Sequence, residues 1–422
     1  MNINGIIAEY NPFHNGHAYQ LAQAKELNRA DYTIVVMSGN FTQRGEAAIV
    51  DKHIRTKMAL QAGADLVLEL PVLYATASAE YFAAGGVSLL DKLGVVTHLN
   101  FGSECGDMDS ILHLAQTLSR ESEQVQQSMQ SYMKDGLSFP KAREKAYQEA
   151  NLLSTGELEL LSQPNNILGI EYCKALFSRN SAIHPTTIAR SGSGYNDTVI
   201  SSPIASARSI REALENKPHA ASPSDGVADA TVENTIPRDA YLLLKECIAK
   251  KQIVSTSDFS QALYYKLIAE EQEGYEKYLD VNKELSDRIR NLLPAFKDWD
   301  GFIEQLKTKE LTYTRISRCL LHILLNITKS QMELAVSMDY VPYARMLGFR
   351  KDSAPLLTRM KEHSSIPIIS KLADADRILD AYGNQLLSLE LFAGKIYRSA
   401  KLRNSICEES IASEYSTPIV IL

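Results

Sequence analysis

Two imidazoles separated by two residues, His14 and His17, stand in the segment EYNPFHNGH (9–17), between an apolar run at 3–8 and a helical pattern that begins near Ala18. Histidines placed where a strand hands over to a helix can both donate hydrogen bonds to phosphate oxygens, whose charge grows as pyrophosphate departs. The placement helps in a second way. A helix start offers unpaired backbone N–H groups and a partial positive charge, and in open α/β sheets ligands gather at the carboxyl ends of the strands. Gly16 lets the backbone approach such a ligand closely. The plainer alternative is that the two histidines cap the helix and pack, but strand, Pro12, Gly16 and helix in one register favour the phosphate role. The pattern G-x-x-x-x-G-K-S/T is absent and G-x-G-x-x-G does not follow the first strand, so neither a P-loop nor a dinucleotide fingerprint is at work.

Further along, IASARSIR (204–211) precedes another helical pattern, where Ser206 or Ser209 could cap. With Arg208 or Arg211, such a helix start would hold a triphosphate from the side opposite the histidines. Other polar residues fall at predicted strand ends: Ser38-Gly39-Asn40, Glu69, Gly102-Ser103-Glu104 and Arg190. Gly102 would let adenine or ribose lie against backbone, and Asn165 and Asn166 would cap a helix or bond the nucleotide. Gln43-Arg44-Gly45-Glu46, with Asp51-Lys52-His53 and Arg55, forms a charged loop on the same rim, suited to an anion or a lid and equally to a solvated face. In the second half, residues 307–361 hold ten Lys or Arg against four Asp or Glu. Lys307, Lys309, Arg315, Arg318 and Arg345 are the candidate RNA contacts of this island, with His322 on the face of Arg315 and Arg318 and with Tyr313 and Tyr343 as stacking rings. Plain solvation accounts for such charge equally well.

The elements that must position these groups are legible as hydrophobic periods. Runs at 3–8, 32–37, 66–70, 95–101 and 183–189 read as buried strands, and 18–28, 53–62, 79–93 and 166–178 as helices that each cover one sheet face. The fold class is therefore α/β, a Rossmann-like doubly wound parallel sheet. A helical stretch is expected over 109–150 and a loop at 190–194. The small, polar segment 219–231, HAASPSDGVADAT, reads as an exposed linker or insertion. Beyond it helical periods dominate, as at 311–325, with strand signals only at 366–369 and 419–421. Three parts follow: a catalytic unit at 1–218, a linker or insertion at 219–235, and a mainly helical unit at 236–422, which would carry the RNA surface.

The 422 residues suffice for two sizeable cores, and 45% hydrophobic with 23% charged residues is a globular composition. A net charge of -7 excludes a protein that coats nucleic acid by bulk positive charge. Five dispersed cysteines without paired or metal-ligand spacing point to a reducing, cytoplasmic setting without structural zinc. No signal core and no apolar run of membrane-spanning length occurs.

Taken together, EYNPFHNGH, MSGNFTQRGE (37–46), KMALQAGADLVLELP (57–71), NFGSE (100–104), PNNILGIEY (164–172), IASARSIR, LKTKELTYTRISR (306–318) and PYARMLGF (342–349) make a chain that closely resembles the bacterial tRNA(Met) cytidine acetate ligases, a branch of the HxGH nucleotidyltransferases. The resemblance implies that acetate attacks the α-phosphate of ATP, and that the acetyl group then passes to N4 of the wobble cytidine of elongator tRNA(Met), with Mg2+ accompanying ATP. It implies catalytic roles for His14 and His17. It also implies an ATP site built from Ile7, Ala8, Glu9, Tyr10, Asn11, Pro12, Phe13, His14, Asn15, Gly16, His17 and Gln20, with Gly102, Asn165, Arg190, Ser206 and Arg211. Two positions depart from the resemblance: Arg208 stands where a small hydroxyl residue is usual, and Asn40 where histidine is expected. The alternative is a small-molecule adenylyltransferase of cofactor synthesis, although such an enzyme has no need of the helical half and its basic island. An RNA-binding factor with ATP as a mere ligand would form neither AMP nor pyrophosphate.

Overall fold

The computed structural model describes residues 1–120, 123–134, 137, 139–190, 205–215, 232–404 and 412–422. Most of the expected linker, the loop after Arg190, Ile204 and Cys407 lie outside the described residues. The strands are β1 (Ile3–Ala8), β2 (Tyr32–Ser38), β3 (Leu66–Leu70), β4 (His98–Ser103), β5 (His184–Ala189), β6 (Ala344–Phe349), β7 (Ile368–Ile369) and β8 (Val420–Ile421). They form one sheet in the order β5-β4-β1-β2-β3-β6-β7, with β8 also on β6. The first five are mutually parallel. Successive strands step from β1 through β2 to β3, and the chain then returns to β1's other flank for β4 and β5. The direction of winding therefore reverses between β1 and β4, which is where such sheets open a crevice at the strands' carboxyl ends.

Alternating residues send side chains to opposite faces, and each face has its own core. Ile6, Val35, Met37 and Val67 pack with Leu21, Met58, Leu60 and Leu244, under helices Asn15–Leu27, Lys52–Gln61 and Arg238–Ala249. Ile7, Ile34, Val36 and Leu68 pack on the other side with Phe82, Val87, Leu90 and Tyr172, under helices Ala79–Lys92 and Pro164–Ser178. This second core continues without a break into the helical half, around the fully buried Trp299 and the apolar stripe of helix Tyr313–Leu325.

Helices do dominate the second half, and β7 and β8 fall at the two predicted strand signals. β6 was not anticipated. It pairs antiparallel with β3, so residues beyond 340 extend the catalytic sheet rather than standing apart from it. The segment hid its strand character because Arg345 and Gly348 interrupt its apolar run. At the described end of the expected linker or insertion, Val232 and Thr235 are buried, Glu233 and Asn234 are exposed, and Thr235 O and Asn234 O accept from the backbone and side chain of Asn15.

Candidate functional site

β1 ends at Ala8, and the chain turns through Glu9 and through Tyr10, which takes a positive φ of 51°, before entering helix Asn15–Leu27. His14 is the N-cap of that helix. Its Nδ1 accepts from Gly16 N at 3.1 Å, and its own N–H donates to His17 Nδ1 at 3.2 Å, a reciprocal capping box built from two imidazoles. Both Nδ1 lone pairs are thereby engaged, so each neutral ring carries its proton on Nε2. The rings stack with centroids 3.7 Å apart; Tyr10 meets His17 from the edge and Phe13 lies tilted against it. Burial first, then Arg190 and Arg211, push the His14 pKa down to about 3; burial, His14 and Arg190 hold His17 well below its ordinary value. The turn therefore presents two neutral Nε2–H donors at physiological pH. Each ring is engaged in the capping box through Nδ1 alone, so for His17, which lines the cleft, capping does not exclude a contact to a ligand.

A cleft of about 1080 Å³, its open mouth included, lies over the ends of β1, β4 and β5. Of the expected nucleotide residues, it is lined by Ile7, Ala8, Glu9, Tyr10, Asn11, His17, Gln20, Gly102, Asn165, Arg190, Ser206 and Arg211. Pro12, Phe13, His14, Asn15 and Gly16 do not line it. Phe13 is fully buried beneath the turn, His14 backs His17, and Asn15 is turned toward Asn234 and Thr235. Their contribution is to shape the turn. Sequence reasoning missed Thr42, Phe82, Leu168 and Tyr172 as cleft walls. The last three sit on helices whose apolar period gave no sign that one edge faces a ligand.

The opposite wall is helix Ala207–Glu215, capped by Ser206, whose Oγ accepts from Ser209 N at 3.0 Å. Arg211 donates from Nη1 to Asn11 O at 2.8 Å and from Nη2 to Glu46 Oε2 at 3.0 Å, joining the histidine turn to the 42–46 loop. Arg208, the departure from the family pattern, lines the cleft and pairs with Glu212 at 2.8 Å. On the β4 side, Glu104 neutralises the start of helix Pro164–Ser178, accepting from Asn165 N at 3.2 Å, Asn165 Nδ2 at 2.6 Å and Asn166 N at 2.8 Å. Asn40, the other departure, accepts from Lys52 N at 3.0 Å through its side-chain oxygen.

The 42–46 loop is anchored by the second half. Gly45, at φ 76°, lies so close to helix Tyr313–Leu325 that a Cβ would come 2.3 Å from Arg318 N, which explains the glycine, and Ser317 Oγ donates to Gly45 O at 2.8 Å. From the long helix Ala381–Asn404, Tyr397 OH donates to Ala48 O and Lys401 reaches Asp51, each at 2.6 Å.

The basic island is not one surface. Lys307 and Lys309 are exposed, Arg315 is half-buried, and Arg318 is half-buried against Asp280 at 3.5 Å. His322 is fully buried between Leu279 O and Thr76 O, and Tyr343 is buried, so neither faces RNA. The expectation for Arg345 is corrected. Only 5% exposed, it pairs with Glu69 at 2.7 Å and Glu414 at 2.6 Å, beside the wholly buried Lys52. A charge in the middle of a sheet must be neutralised locally, so it has no hand free for a phosphate. Among the described residues no cluster of three His, Cys, Asp or Glu could hold a metal, and no helix is long and apolar enough to cross a membrane.

Residues 1–411 match the family model described as HIGH Nucleotidyl Transferase. The chain is 38% identical over 398 residues to the tRNA(Met) cytidine acetate ligase of Acetivibrio thermocellus, covering 94% of each protein. It is 41% identical over 408 residues to the enzyme of that name from a Thermoanaerobacter species, covering 96% of this chain and 97% of the relative. Among solved structures, Thermotoga maritima TmcAL superposes over 100% of both chains at 30% identity, with a TM-score of 0.92 for an apo form and 0.90 for the form bound with alpha-thio ATP.

Proposed function

The chain belongs to the HIGH nucleotidyl transferase family, and from that premise we propose that it is an ATP-dependent tRNA(Met) cytidine acetate ligase. The observation that carries this reading is the Nε2–H donor of His17, backed by His14, in the cleft at the switch point of the sheet, in a chain matched along nearly its whole length by ligases of that name. Acetate attacks the α-phosphate of ATP, an O–P bond forms, and the bond to pyrophosphate breaks. Charge builds on the departing phosphates. The Nε2–H of His17, the N-terminus of helix Asn15–Leu27, Arg190, and Arg211 at the capped start of helix Ala207–Glu215 would stabilise that charge in the cleft. Because the His17 imidazole stays neutral, it would do so as a dipole and cost no reorganisation. Acetyl-adenylate then passes its acetyl group to N4 of the wobble cytidine of elongator tRNA(Met), releasing AMP. Magnesium would accompany ATP and would supply charge neutralisation to its phosphates. Lys307, Lys309, Arg315 and Arg318 track the RNA backbone.

The reaction takes place in the cytoplasm, where its tRNA is found. Incubating the purified chain with ATP, radiolabelled acetate and total bacterial tRNA tests the reading. Label on cytidine of tRNA(Met) is expected, with AMP and pyrophosphate formed in step. AMP transfer to a small molecule without labelled RNA would point instead to a cofactor adenylyltransferase.

A further inference from the structure

We propose that Glu9 is the general base that takes the proton from the cytidine amine as it attacks acetyl-adenylate. The assignment rests on the ligase reading above. The lone pair of this exocyclic amine is delocalised into the pyrimidine ring, so its attack gains from a base positioned to remove a proton as the new bond forms. The cleft offers few. His14 and His17 are excluded because their Nδ1 atoms already accept from Gly16 N and His14 N, which leaves each Nε2 as a donor with no lone pair to give. Two carboxylates line the cleft, Glu9 and Glu46. Glu46 is held by Arg211 at 3.0 Å. The acids nearby are committed elsewhere: Glu104 to Asn165 and Asn166, and Asp51 to Lys401 and the start of helix Lys52–Gln61.

Glu9 stands at the mouth of β1, one residue beyond its end, in the same cleft as His17. Its Oε1 accepts from Gln43 N at 2.7 Å, and no hydrogen bond among the described residues takes its Oε2. Arg55 holds the backbone from behind, donating to Glu9 O at 2.6 Å. Burial raises the carboxyl above its ordinary value, which strengthens it as a base; Arg44, Glu46 and Arg211 face it, with Arg55 and Tyr172 also within its field.

The step balances. The N4–carbon bond forms, the carbon–oxygen bond to AMP breaks, the N4 proton passes to the Glu9 carboxylate, and AMP leaves as an anion that needs no proton. Glu9 returns the proton to water once the products have gone.

Glu9→Gln in the full chain tests this, since the amide oxygen can still accept from Gln43 N and hold the 42–46 loop. Two readouts separate the roles: acetate-dependent ATP–pyrophosphate exchange without RNA, and single-turnover transfer from preformed acetyl-adenylate to tRNA(Met) across pH. Transfer should fall about a hundredfold or more and exchange less than about tenfold, with Glu9→Asp recovering part of the transfer. Wild-type transfer should rise with pH as Glu9 loses its proton, and the Gln variant should lack that rise. Equal losses in both readouts, or an unchanged pH profile, would overturn the assignment. A wild-type chain that transfers no acetyl group removes the ligase reading itself, whereas an active wild type with a normally transferring Gln variant removes only the base.

Discussion

At the scale of single residues, the site depends on which nitrogen of each imidazole carries the proton. His14 titrates near 3 in the fold against an ordinary 6.5. As pH falls below 6.5 the unfolded chain therefore takes up a proton that the folded chain refuses, and this histidine costs stability on acidification. Between pH 6.5 and 5.5 the cost is about 1 kcal/mol. Asparagine at position 14 can still accept from Gly16 N but cannot titrate. His14→Asn should consequently lose about 1 kcal/mol less than wild type over that interval in urea unfolding, and identical losses would exclude a buried neutral imidazole. His17→Ala removes a donor aimed at the cleft and should depress acetate-dependent ATP–pyrophosphate exchange by about two to three orders of magnitude. Its tRNA binding, read on filters, should stay within a few-fold of wild type. Loss of both together would mean that His17 is holding the fold.

At the scale of elements, the loop at 42–46 links the two halves, because it walls the cleft while leaning on helix Tyr313–Leu325. That helix carries Arg315 and Arg318, so RNA held there, as we propose, would lie next to the loop that walls the cleft. Arg315→Ala with Arg318→Ala should weaken tRNA binding, lower the salt dependence of that binding by about two phosphate contacts, and leave exchange without RNA within a few-fold. Exchange lost as fully as binding would contradict the division of labour. Much of this architecture was legible beforehand. β1, β2 and β3 announce themselves because strands buried on both faces are continuous apolar runs, and the histidine turn because proline, glycine and helix start coincide. The cleft walls Phe82, Leu168 and Tyr172 were not legible, since an apolar residue on a helix edge looks the same whether it meets a core or a ligand. β6 was hidden because its arginine reads as surface until Glu69 and Glu414, 276 residues below and 69 above it in the chain, are seen to neutralise it.

At the scale of the whole molecule, the two halves share one sheet and one core, and buried charge fastens them. Lys52, wholly buried, meets Glu69 at 2.6 Å and Glu414 at 3.0 Å, with Glu390 at 3.7 Å and Arg345 bridging the same acids. Burial and the neighbouring Glu69 push the Glu390 carboxyl well above its ordinary value. Lys52→Ala leaves acids from both halves facing one arginine and should cost about 3–5 kcal/mol in urea unfolding. A loss under about 1 kcal/mol would show that the cluster does not hold the halves together. The same sheet and core carry both the cleft at the end of β1 and helix Tyr313–Leu325. The most direct test of the account is a crystal structure of the chain with a non-hydrolysable ATP analogue. We expect polyphosphate oxygens within about 2.6–3.2 Å of His17 Nε2, between the histidine turn and Arg211; a nucleotide bound elsewhere, with that turn empty, would contradict it.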